Sequence, residues 1–118
     1  MTAARASLAE ILTPSGYEHL ERLGARMAER CSSVLAEHEL PGNVVALGHK
    51  GCVHGHDADL SELVWLWLTN RGLFVTPGRG QEWNVTVAHD DRAVDRYVEA
   101  FAELAAELTP RLSGSARA

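Results

Sequence analysis

Apolar and polar positions along this chain fall into two periods, and the switches between them mark the elements. Thr13-Pro14 reads as an N-cap followed by proline at the first helical position. From there Tyr17, Leu20, Leu23, Met27, Cys31, Val34 and Leu35 recur at helical spacing, which predicts a helix to about Glu39 that stops before Pro41-Gly42. A shorter helical piece around residues 7–12 precedes it. "NVVALG" (residues 43–48) is a short apolar run between turn residues and predicts a strand, with "KGCVH" (residues 50–54) as its continuation or hairpin partner.

Asp59, followed by Glu62, has the form of a capping box and opens a helix that Gly72 closes. "LFVT" (residues 73–76) predicts the next strand, and Pro77-Gly78 with Gly80 a turn. "WNVTVAH" (residues 83–89) alternates at the strand period. Asp90 then caps a last helix in which Val94, Tyr97, Val98, Phe101, Leu104, Ala105 and Leu108 form one stripe, and Pro110 ends it. The order predicts an α+β two-layer sandwich, with a small, mainly antiparallel sheet covered by three helices. At 118 residues the whole chain reads as a single domain, with residues 1–6 and 110–118 fraying.

One helix is apolar on every side. In "LVWLWL" (residues 63–68) Leu63, Trp65, Leu66 and Trp67 leave no polar face, and a helix of that kind needs burial all round. A two-layer fold covers one side of each layer, so these four residues predict an interface, to a second copy or to another domain. The alternative is a core helix clamped between sheet and terminal helix.

Composition narrows the function classes. A net charge of −5 with scattered arginines gives no basic stripe for nucleic acid. No run approaches the roughly 18 apolar residues of a membrane span. The first residues lack the long apolar core of a secretory signal, and two cysteines make no disulfide framework, so a cytoplasmic setting with reduced thiols is expected. Cys31, on the apolar helix face, reads as a small buried hydrophobe.

The densest chemistry lies in "HKGCVHGHD" (residues 49–57). Residues i and i+2 of a strand share a face, so Cys52, His54 and His56 could project together, with His89 at another strand end as a fourth zinc ligand. Against this, Cys-x-His-x-His matches no strong zinc signature, and loop-end histidines that titrate near neutrality are the plainer reading.

Three stretches together resemble a known family. "GYEHLERLGARMAE" (residues 16–29), "TNRGLFVTP" (residues 69–77) and "VTVAHDDRAVDRYVEAFAELA" (residues 85–105) look like the C-terminal small domain of class III, fold-type I aminotransferases. The nearest group is the glutamate-1-semialdehyde aminomutases. The resemblance runs from about Ser7 to about Leu108. It implies PLP-dependent amino transfer, with the cofactor on a lysine and an aspartate of a large domain that these 118 residues do not contain.

The only lysine, Lys50, falls on a small-domain strand, so the resemblance assigns it no Schiff-base role. The resemblance places an acid near the active-site mouth at Gln81-Glu82, so that Arg79 or Glu82 would be the substrate-side residues of a complete enzyme; in this chain alone each reads as a solvated turn residue. His89 matches a structural Ala-His pair ahead of the last helix. Residues 55–59 stand where the family has a longer excursion. These observations imply a small domain or fragment that is inactive alone, binds no PLP by itself, and serves as packing or as one wall of an active site. Two other readings stay open: a homo-oligomeric binding or assembly module built on residues 63–68, and a metal-binding module at Cys52, His54 and His56.

Overall fold

A computed structural model describes residues 1–78 and 81–116 of the protein. Two short helical pieces come first, α1 (Thr2–Ala6) and a π-helical turn (Ser7–Ile11), neither of which buries a residue. The long helix α2 (Pro14–Glu37) begins as the sequence predicts. Thr13 caps it, its side chain accepting from the Gly16 N–H at 3.2 Å, with proline at the first position. It stops two residues short of the expected Glu39. Glu39 itself takes the left-handed conformation (φ 51°), and the Leu40 N–H closes back on the Leu35 carbonyl at 3.0 Å. Leu40 is thereby tucked into the core.

The hairpin of β1 (Asn43–Leu47) and β2 (Lys50–His54) follows, antiparallel, with Val44 opposite Val53 and Val45 opposite Cys52. β3 (Trp83–Asn84) joins the free edge of β2, giving the order β1-β2-β3. The predicted strand over residues 83–89 is therefore much shorter, and the register explains why. Asn84 pairs with Lys50, the first residue of β2, and the Val85 N–H reaches the carbonyl of His49 in the hairpin turn at 2.9 Å. Beyond that the partner strand has ended. The predicted strand at residues 73–76 likewise finds no strand neighbour among the described residues and runs as an irregular segment.

Helix α3 (Ala58–Asn70) is capped by Asp57 rather than the expected Asp59. Asp57 Oδ1 accepts from the Leu60 N–H at 2.8 Å, and Asp59 falls in the first turn, where a carboxylate suits the helix dipole. Helix α4 (Asp91–Ala116) is capped by Asp90, whose Oδ1 accepts from the Ala93 N–H at 2.9 Å. It does not stop at Pro110. A proline removes one N–H, here the donor to the Ala106 carbonyl, and a helix can carry that loss. The Thr109 hydroxyl bonds both the Ala105 carbonyl within α4 and the His38 carbonyl at the end of α2.

The core lies between one face of the sheet and the helices. Leu23, Met27, Cys31, Val34 and Leu35 of α2 meet Val94, Tyr97, Val98, Phe101, Leu104 and Ala105 of α4, with Val53, Val64, Leu68 and Trp83 completing the cluster. Every residue of the two predicted stripes is buried here except Tyr17, which is exposed, and Leu108, which packs at the margin. An arginine row on α2 faces acids on α4. Arg22 bonds Asp91 at 2.7 Å, and both Arg26 and Arg30 bond Asp95. The result is the predicted α+β class, three helices over a small antiparallel sheet.

Candidate functional site

A cleft of about 490 Å³ opens between the unpaired segment 72–76, the β3 strand and the first turns of α4. Its apolar wall comes from Met27, Leu73, Val75, Val85 and Val94, and its aromatic floor from Trp83 and Tyr97. The two rings meet edge-on with centroids 6.4 Å apart. Trp83 is 6% exposed and Tyr97 5%. Trp83 Nε1 and the Tyr97 hydroxyl are both buried with no hydrogen-bond partner among the described residues. Burial pushes the Tyr97 phenol well above its ordinary range, with the Cys31 side chain adding to the shift. It stays a neutral O–H at any physiological pH.

Glu82, one of the two predicted substrate-side residues, lines this cleft, and Lys50 Nζ stands 3.8 Å from its carboxylate. Arg79, the other, lies outside the described residues. His89 also lines the cleft, and its surroundings fix its tautomer. Nδ1 accepts from the Thr86 N–H at 2.9 Å, so in the neutral ring Nε2 carries the proton. The His89 carbonyl in turn accepts from His19 Nε2 at 2.7 Å, which ties the start of α4 to α2. The imidazole is thus hydrogen-bonded in the loop that leads from β3 to α4.

The four residues considered as metal ligands are not brought together. Cys52 and His54 share the outer face of β2, with Val53 between them in the core. Gly55, at φ +98°, turns the chain there, and His56 swings inward instead of continuing the strand parity. His89 sits at the head of α4, away from both. Among the described residues no group of three His, Cys, Asp or Glu side chains could hold a metal ion.

His56 has a different partner. Gln81 Nε2 donates to His56 Nδ1 at 2.9 Å, and both side chains are buried. Burial lowers the His56 pKa below 6.5; the Pro41 carbonyl and the Asp57 charge oppose that shift without overcoming it. Gly42, at φ +120°, lies so close that a Cβ there would meet the imidazole at 3.3 Å. Sequence periodicity could not find this pair. Its members are 25 residues apart, and the turn predicted ahead of Gln81 falls in part on residues 79–80, outside the described residues.

The four residues of α3 divide. Trp65 and Trp67 are half-buried, and both indole N–H groups are satisfied within the chain, at the Val75 carbonyl (3.1 Å) and the Ala100 carbonyl (2.9 Å). The Arg71 guanidinium stacks on the Trp67 ring, 3.4 Å from its centroid. Leu63 and Leu66, 40% and 43% exposed, form the uncovered ridge. Elsewhere Phe74 stands 99% exposed and Leu47 88%.

Pyridoxal phosphate does not fit the residues present. A Schiff base needs a lysine, and Lys50 is exposed on a strand, paired with Glu82.

No family model matches the chain. It is 26% identical over 113 residues to glutamate-1-semialdehyde 2,1-aminomutase 2 of Brevibacillus brevis, covering 85% of this chain and 26% of that relative. Over most of its length the chain is similar to one part of the glutamate-1-semialdehyde aminomutases. Several solved structures share its fold. A glutamate-1-semialdehyde aminomutase from Pseudomonas aeruginosa superposes with a TM-score of 0.83 at 22% identity, over 90% of this chain and 26% of that one. A transaminase with PLP bound also gives 0.83 at 20% identity, over 93% and 27%. This aminotransferase-like chain thus spans about a quarter of the length of the proteins it matches.

Proposed function

We propose that this chain is the small domain of a PLP-dependent class III aminotransferase or aminomutase. Its role is to pack against a larger domain and form one wall of an active site, in a cytoplasmic enzyme. The observation that carries the reading is the lopsided coverage: nine-tenths of this chain corresponds to a quarter of an aminomutase. The uncovered apolar side chains Phe74 and Leu47 support it, because a free domain gains nothing by exposing them. So does Lys50, whose strand position and Glu82 partner leave it no part in cofactor chemistry.

Two measurements test this. The chain mixed with pyridoxal phosphate and reduced with borohydride should carry no stoichiometric adduct; a one-to-one adduct at Lys50 would overturn the proposal. A chimera in which this chain replaces the matching quarter of the Pseudomonas aeruginosa aminomutase should fold and keep its cofactor absorbance.

A second reading is favoured by the exposed Leu63–Leu66 ridge on α3: a stand-alone assembly module in which that helix contacts a second copy. Self-association without any larger partner would support it.

A further inference from the structure

The two strands of the hairpin treat their outer faces differently. On β2 the outward residues are Lys50, Cys52 and His54, while Val53 points into the core, which is the alternation of a sheet with one face in water. β1 breaks that rule. Its register sets Val44 opposite the core residue Val53, so Val45 and Leu47, opposite Cys52 and Lys50, stand on the outer face. They are 55% and 88% exposed. Asn84, opposite Lys50, continues that face onto β3, and the exposed Phe74 lines the same cleft as Asn84 and Glu82. The formal charges at this margin are already matched, since Lys50 Nζ lies 3.8 Å from the Glu82 carboxylate.

A strand that is apolar on both faces is the pattern of a strand covered on both sides, and here the helices cover only one. The size of the patch decides between occupants. Two separate molecules need roughly 1,200–2,000 Å² of buried surface for a stable contact, a demand that Val45, Leu47 and the neighbouring Phe74 do not meet. A domain on the same polypeptide faces the patch at high effective concentration, so a small contact suffices. The aminomutase whose fold the chain shares is matched over only 26% of its length, which leaves a larger body to supply the cover. We propose that the outer face of β1, at Val45 and Leu47, is the seat of that larger domain, which meets it with an apolar, uncharged surface. The inference rests on the small-domain reading above and adds which face is covered.

Cys52 stands across the ladder from Val45 and reports on this face. The free chain is compared with the chimera in which it replaces the matching quarter of the Pseudomonas aeruginosa aminomutase. Iodoacetamide should modify Cys52 about tenfold more slowly in the native chimera than in the free chain, followed peptide by peptide by mass spectrometry, and denaturant should restore equal rates. Leu47→Lys should leave the urea midpoint of the free chain unchanged, because the side chain there is exposed. In the chimera the same lysine would be buried unpaired, and the thermal midpoint should fall. A chimera that keeps its cofactor absorbance while Cys52 reacts at the free-chain rate, or while Leu47→Lys changes nothing, refutes this face and leaves the small-domain reading intact. A chimera without cofactor absorbance removes that reading, and this inference with it. Protection of Cys52 in the free chain that grows with protein concentration makes a second copy the occupant and likewise defeats the proposal.

Discussion

The Gln81 amide donates to His56 Nδ1 across 2.9 Å, and both side chains are sealed from solvent. That bond leaves His56 neutral in the folded chain, since protonating a buried imidazole already engaged as an acceptor would break it. In the unfolded chain His56 titrates near 6.5; in the folded chain it titrates lower. The unfolded state therefore binds the proton first. The stability that His56 contributes is complete above about pH 6.5 and is lost as pH falls through the folded value. Asp91, held below 3.8 by Arg22, loses its contribution only in a more acidic window. Urea unfolding should show a midpoint that declines between pH 7 and pH 5, and His56→Gln should flatten the decline. Parallel curves for the two proteins would remove His56 as the cause.

Gly24 gives a second prediction. A Cβ on this helical residue would collide with the carbonyl oxygen of Gly48, so α2 and the β1–β2 turn meet backbone to backbone. No flexible side chain is there to move aside. Gly24→Ala should cost about 1–3 kcal/mol, as overpacking does, despite the better helix propensity of alanine. Chemical denaturation decides it. A stabilised variant would mean that the hairpin shifts freely on the helix.

Helices were legible in the sequence because their stripes are long: nearly every apolar residue predicted for α2 and α4 is in the core. Strands were less so. Alternation does survive after residue 80, with Gln81, Trp83 and Val85 buried and Glu82, Asn84 and Thr86 exposed. A strand also needs a partner, and β2 runs out opposite Val85, which no local pattern shows. The caps show the same division. Thr13 and Asp90 stood directly before a stripe, whereas Asp57 and Asp59 were equivalent by local chemistry and differ only in where Gly55 turns the chain. The cleft was invisible. Tyr97 reads as a core residue of the last helix and Trp83 as a strand residue; only the packing shows that their polar atoms are buried without a partner among the described residues.

The two cysteines should separate cleanly toward an alkylating reagent. Cys31 is buried between α2 and α4, and burial pushes its thiol up to about 12, so almost no thiolate exists near pH 8. Cys52 lies half-exposed on the outer face of β2. Iodoacetamide at pH 8 should modify Cys52 alone in the native chain, with Cys31 reacting only after denaturant is added. Equal rates, followed by mass spectrometry, would show that the α2–α4 seam opens far more readily than its packing implies.

Leu63 and Leu66 test the proposed contact on α3. Their neighbours Trp65 and Trp67 have satisfied indole groups and need no partner, which leaves the two leucines as the ridge available to another surface. Because both are substantially exposed, the double change Leu63→Gln with Leu66→Gln should alter stability by no more than about 0.5 kcal/mol per site. Its effect should appear in association instead. Sedimentation of the parent chain should show concentration-dependent self-association that the double variant lacks. A variant that associates as the parent does would move the contact to the Phe74 and Leu47 surfaces, and a strictly monomeric parent would leave the larger domain as the partner for α3.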